Sequence, residues 1–290
     1  LPPWTAWFMD KLPLSLQKLS CAFMFAVELG APLLILAPRR LRLVAAAAMV
    51  GLELLIAATG NYAFFNLLTI ALCFLLVDDG SFPARFRPSP EARQRLPRRA
   101  WPRWILWPVA AVLLVASFVH FFAATLRWRV PWPGPVIALV RAGIPYRSVG
   151  SYGLFMVMTT TRDEIIVEGS DDGVTWKPYE FRWKPGDVKR RPTFVAPHQP
   201  RLDWQMWFAS LGRCEDNPWF LSFERRLLEG SKPVLRLLDH NPFPNAPPRY
   251  LRTTSYTYRF TDAATRRGSG DWWRREPRGP YCSPVEMSGR

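Results

Sequence analysis

The sequence predicts a membrane α-helical bundle of about four transmembrane helices, followed by an extracytoplasmic α+β domain with a β-sandwich-like part. Three observations carry this. Long apolar runs are confined to the first 126 residues, arginines cluster in two of the connections between them, and strand and amphipathic-helix patterns follow residue 150. The mean hydropathy of −0.04 averages over these two unlike halves.

Residues 1–18 carry Trp4, Trp7 and Phe8 and read as an interfacial segment, since tryptophan favours the headgroup level. Apolar runs near 19–37, 41–58, 62–77 and 104–126 each approach the ~20 residues that cross a hydrocarbon core. The third is short, which implies tilt or shielding by neighbours. Pro32 is expected to kink the first. Arg39, Arg40 and Arg42 lie in the first connection, and seven arginines lie in the loop 78–103. The turn Thr59-Gly60-Asn61 has none. By the positive-inside rule, the basic connections are cytoplasmic and everything after residue 126 is outside. The opening lacks an initiating Met and a signal peptide, so the chain is expected to be the C-terminal part of a longer membrane protein.

Residues 127–150 form a Pro/Gly-rich linker, and an α+β domain is expected over 151–262. Strand signals lie at 154–161 and 164–168. The string Ser170-Asp171-Asp172-Gly173 marks a hairpin turn before Val174-Thr175-Trp176; it resembles turns in discoidin-type β-sandwiches. Trp204, Trp207, Phe208 and Leu211 recur at helical spacing on one face. Asn217-Pro218 opens a second helix, and residues 251–260 alternate as a strand. The Arg/Gly/Pro-rich residues 263–290 read as a poorly ordered tail.

The formal net charge of +15 raises nucleic-acid binding, but the densest basic cluster sits between two apolar runs, where it serves as a topogenic signal. Nucleic acid is therefore not expected as a partner. The four cysteines show no CxxC and no zinc spacing, so neither a metal nor a cofactor is predicted. There is no GxSxG and no HExxH, which argues against a hydrolase. Cys214 and Cys282, the two cysteines outside the apolar runs, are a candidate disulfide.

Several strings together resemble the lipase maturation factor family. They are Gly60-Asn61-Tyr62-Ala63-Phe64-Phe65-Asn66-Leu67-Leu68-Thr69 ending at Asp78-Asp79, Pro38-Arg39-Arg40-Leu41-Arg42, and Arg201-Leu202-Asp203-Trp204-Gln205-Met206-Trp207-Phe208. His240-Asn241-Pro242-Phe243, Pro247-Pro248-Arg249-Tyr250 and Trp272-Trp273-Arg274-Arg275 follow in order. The resemblance implies a polytopic protein, in animals of the endoplasmic reticulum membrane, that supports folding and dimer assembly of secreted lipases such as lipoprotein lipase. It supplies no catalytic residues. Glu53 stands where an amide is expected in the family. The Arg/Ala/Pro-heavy composition points to a GC-rich genome, and in a bacterium the membrane would be the inner one.

Two sets of candidate residues follow. Arg201, Asp203, Trp204, Trp207, Phe208, His240, Asn241 and Arg249 are client-binding or structural. Asp203 is expected to cap its helix or to pair with Arg201 or Arg249. Glu28, Glu53, Asn61, Asn66 and His120 are intramembrane polar groups, costly in lipid unless partnered. The first functional reading is a membrane-anchored maturation factor or chaperone-like protein for a secreted, lipase-like client. The alternative is a membrane enzyme acting on lipid or on a secreted protein, since the family's membrane part is distantly similar to vitamin K-dependent carboxylase-like domains. A third is a redox helper using Cys214 and Cys282. A cluster of Glu28, Asn66 and His120 would favour the enzyme. An exposed aromatic surface near Trp204 would favour the chaperone.

Overall fold

The computed structural model describes residues 1–82, 85, 101–125, 131–146, 149–150 and 159–286. It divides into two compact units, residues 1–81 with 160–290 and residues 82–159.

In the first unit a short helix α1 (Trp4–Asp10) precedes α2 (Leu14–Phe25). α2 continues through a π-helical turn at Ala26–Gly30 and a 3-10 segment at Ala31–Leu36. Pro32 cannot donate a backbone hydrogen bond, and the ladder is rearranged around it into the π and 3-10 turns. The whole Leu14–Leu36 rod is long and apolar enough to cross a membrane, and so is α3 (Arg39–Thr59). α4 (Phe64–Cys73) with its 3-10 extension to Leu76 is shorter; its 13 residues rise about 20 Å, short of the ~30 Å core. α2 packs on α3 through Val27, Ala31, Ala45 and Leu52, where small residues allow close backbone approach.

The rest of this unit is an α+β domain. Strands β1 (Arg162–Ser170), β2 (Lys177–Pro178), β5 (Tyr250–Phe260) and β6 (Trp273–Glu286) form an antiparallel sheet in the order β2-β1-β5-β6. A second, two-stranded sheet joins β3 (Glu180–Phe181) to β4 (Leu238–His240). The helices are α7 (Arg201–Ser210), α8 (Pro218–Leu228), α9 (Lys232–Leu235) and α10 (Ala263–Ser269). Alternation gives the four-stranded sheet two different faces. Ile165, Val167 and Leu251 meet Met206, Ala209, Phe220, Phe223 and Leu227 on one. Ile166, Tyr258, Trp272 and Trp273 form the other core. Cys214 and Cys282 are joined in a disulfide with Cα atoms 5.4 Å apart, tying the turn before α8 to strand β6.

The second unit holds α5 (Arg103–Thr125), an apolar helix of membrane-spanning length with Pro108 inside it, and α6 (Gly134–Gly143).

Three expectations change. Residues 263–286 are not a disordered tail. They form α10 and the 14-residue strand β6. β6 is an edge strand whose side chains are mostly exposed, so its composition shows no alternation, and an edge tolerates Pro277, Pro280 and Pro284. Residues 1–18 are not a free interfacial segment. Trp7 is 5% exposed and is built into the domain's second core, donating from Nε1 to the Thr261 carbonyl at 2.9 Å. Val174-Thr175-Trp176 belongs to the turn, with pairing resuming at Lys177. The strand expected at 154–161 begins outside the described residues, and pairing starts at Arg162.

Candidate functional site

The block Arg201–Phe208 folds as α7 because Leu202, Met206 and Ala209 fall at i, i+4 and i+7 and dock onto β1. Asp203 lies on the same inner side, 2% exposed. Its Oδ1 accepts hydrogen bonds from the backbone N–H groups of Trp183 (2.8 Å) and Lys184 (2.9 Å). It pairs with neither Arg201 nor Arg249 and caps no helix. It fastens a loop whose Lys184 ammonium, itself 2% exposed, reaches the fully buried Glu164 at 3.3 Å. The expectation of one apolar face made of Trp204, Trp207, Phe208 and Leu211 holds for their grouping, but that face points outward. Trp204 packs edge-on to Phe208 at 4.9 Å, and Trp207 tilts against Phe208 at 5.1 Å. Both tryptophans are half-buried, while Phe208 and Leu211 are 40% and 46% exposed. Helical spacing groups the four but cannot say which side faces the core. That is decided by Met206 and Ala209, smaller residues on the sheet side.

The His240–Phe243 string is elsewhere. His240 is exposed at the end of β4. Asn241 accepts from the Phe243 N–H at 3.0 Å and donates to the Phe243 carbonyl at 3.1 Å, a local turn device. Phe243 packs against Gly169, where a Cβ would come within 2.5 Å of its ring. Arg249 donates from Nε and Nη2 to Glu286 Oε1 at 3.0 and 2.8 Å. A cavity of ≈ 480 Å³ opens here, lined among others by Asp171, Lys177, Phe243, Pro244, Pro248 and Arg249. α7 is fastened to the start of β1, where Ser210 donates to the Asp163 carbonyl. Phe243 covers Gly169, six residues and about 20 Å further along that strand. The two blocks are thus separate surfaces.

In the apolar helices the polar groups are partnered. Asn66, 1% exposed, donates from Nδ2 to Glu53 Oε2 at 2.7 Å, which links α4 to α3. Its Oδ1 accepts from the Tyr62 N–H at 3.3 Å. Asn61 Oδ1 accepts from the Ala63 N–H, and its Nδ2 donates to the His198 carbonyl at 2.9 Å. Gln199 returns a bond to the Asn61 carbonyl, so this turn is a strut between the helices and the domain. Gly60 and Asn61, the turn residues that best tolerate positive φ, do not carry it. It falls instead on Ala63 (φ 58°), and the bonds from Asn61 and Asn66 hold it there. Glu28 is exposed on the π-helical turn, and His120 is half-buried on α5. Among the described residues no hydrogen bond or ion pair joins Glu28 to the Glu53–Asn66 pair. At the far end of α3, Asp78 pairs with Arg39 (2.8 Å) and Arg42 (3.4 Å).

Two features escaped the sequence reading. A cation–aromatic stack locks α1 to the domain: Arg266 lies 3.6 Å from the Trp272 ring and 4.6 Å from Trp7, and Arg191 lies 4.7 Å from Trp4. Glu224, 1% exposed on α8, is buried in the main core. Burial pushes its carboxyl up to about 7, an effect the Thr253 hydroxyl partly offsets. A lone Glu inside an amphipathic pattern gives no sequence signal of this.

Comparison with known proteins matches these same two parts. Residues 1–84 fit the model of the lipase maturation factor transmembrane domain, and residues 148–283 fit that of the lipase maturation factor C-terminal domain. Lipase maturation factor 2 of Gallus gallus and of Homo sapiens are each 33% identical over 95% of this chain and 52% of their own length. Lipase maturation factor 1 of Mus musculus is 30% identical over 97% of this chain and 52% of its own. The chain spans about half the length of these curated relatives. No solved structure matches it. With both domain models matched in order along one chain, this integral membrane protein belongs to the lipase maturation factor family.

Proposed function

We propose that the chain is a membrane-anchored maturation factor that assists the folding or assembly of a secreted lipase, and that the outward ridge of α7 is where the client is held. The observation that carries this is the ridge itself. Trp204, Trp207, Phe208 and Leu211 lie together on the outer side of a helix already fixed by Met206, Ala209 and Asp203. Aromatic residues beside an arginine are the types enriched at binding hot spots, and immature secreted proteins expose apolar surface. The relatives' name supplies the client class.

In this reading the C-terminal domain lies outside the cytoplasm, in the endoplasmic reticulum lumen of a eukaryote or beyond the inner membrane of a bacterium. α3 supports that orientation. Its Arg39 end carries the basic connection, and its opposite end leads into the Asn61 turn that binds the domain. Basic connections favour the cytoplasm, and a Cys214–Cys282 disulfide suits an oxidising compartment.

The test is secretion of an active homodimeric lipase from cells that lack their own maturation factor and express this chain. Phe208→Ser and Leu211→Ser are expected to leave its melting temperature in detergent unchanged and to reduce secreted lipase activity severalfold. Full activity from both folded variants would overturn the reading.

A further inference from the structure

An apolar cleft of ≈ 260 Å³ lies between α3 and α4, lined by Leu43, Ala46, Ala47 and Val50 on one side and by Cys73 and Val77 among others on the other. Arg40, Leu43, Ala47 and Val50 stand at i, i+3, i+7 and i+10 and so share one face of α3. The cleft lines α3 from Leu43 to Val50, and with Arg40 one turn before it this face covers ten residues, about 15 Å, the depth of one leaflet of a ~30 Å hydrocarbon core. The alanines at its floor let a chain lie close to the helix backbone.

The three arginines at the mouth differ. Arg39 and Arg42 are engaged by Asp78, and Arg42 also donates to the Leu76 carbonyl at 3.1 Å. Arg40 is exposed and has no ion pair or hydrogen bond among the described residues. An uncompensated guanidinium at the hydrocarbon boundary calls for an anionic, bidentate acceptor, and a phosphodiester fits that geometry. Among the described residues Arg39 and Arg42 share the single carboxylate of Asp78 and leave Arg40 uncompensated, so a lipid with net negative charge is favoured over a zwitterionic one, whose own ammonium offsets its phosphate.

We infer that this cleft binds one anionic phospholipid, with an acyl chain along Leu43–Val50 and the phosphate on Arg40. A structural lipid here fills the side of α4, which is too short to span the core alone.

Native mass spectrometry of the purified full chain, with phosphatidylglycerol or phosphatidylcholine added, tests this. Wild type is expected to retain phosphatidylglycerol in preference. Arg40→Gln should lower that retention about tenfold, the effect of one lost charge-assisted contact, while Arg40→Lys should keep most of it. Ala46→Phe, which fills the cleft, should remove retention of both lipids. Equal retention in wild type, Arg40→Gln and Ala46→Phe would overturn the assignment. Arg40 is exposed, so its substitution leaves the fold intact, and an unchanged melting temperature verifies this.

Discussion

The apolar helices and the C-terminal domain obey opposite burial rules. In the helices the outward residues are apolar, with Leu33 77%, Leu75 81% and Leu36 95% exposed, while Asn66 is 1% exposed. In the domain Leu251, Phe220 and Leu227 are fully buried, and the outer side of β6 is rich in arginine. The contrast follows from the solvent. Lipid does not reward hiding a leucine, whereas a polar group facing lipid goes without a partner. Water reverses both. α7 breaks the domain's rule, since its apolar ridge faces outward. That departure is the basis of the proposed client surface.

Four substitutions sharpen this contrast. Leu251→Ala, in the water-side core, should destabilise the domain by about 2–5 kcal/mol, the range for large-to-small core changes, as read by thermal melting in detergent. Glu224→Gln should show a smaller, pH-dependent effect. Its folded carboxyl titrates near 7, above the ordinary glutamate value, so the folded state binds the proton more tightly than the unfolded one. Wild-type stability is then fullest below about pH 4.5, falls as pH rises to 7, and levels off above it. The Gln variant should gain on wild type over that window, by at most about 3 kcal/mol. A gain independent of pH would contradict the assignment. Asn66→Leu removes the bond to Glu53 and should cost about 1 kcal/mol, the usual worth of an interhelical hydrogen bond in a membrane. Leu36→Ala should change stability by less than about 0.5 kcal/mol, although the same change at Leu251 is severe.

The sequence made the helices and their order legible because apolar length and arginine position are local signals. It gave the hairpin at Ser170–Gly173 for the same reason: Asp172 accepts bonds from Val174 and Thr175, all within one turn. What it missed depends on distant partners. Strand β6 reads as disorder until β5 is placed beside it. The inner face of α7 is fixed by contacts with β1. Asp203 looked like a partner for arginine, but its partners are two amides about twenty residues upstream. Trp7 looked interfacial, but its partner is Thr261 at the other end of the chain. Of the candidate sites, the aromatic group on α7 was legible and its outward direction was not.

The central claim is that this outward ridge meets the client, and site-specific photocrosslinking in intact membranes tests it most directly. A photoreactive residue at position 208 or 211 should capture a co-expressed immature lipase. The same residue at position 225, exposed on α8, should not. Capture that is equal at all three positions, or found at 225 alone, would contradict the account.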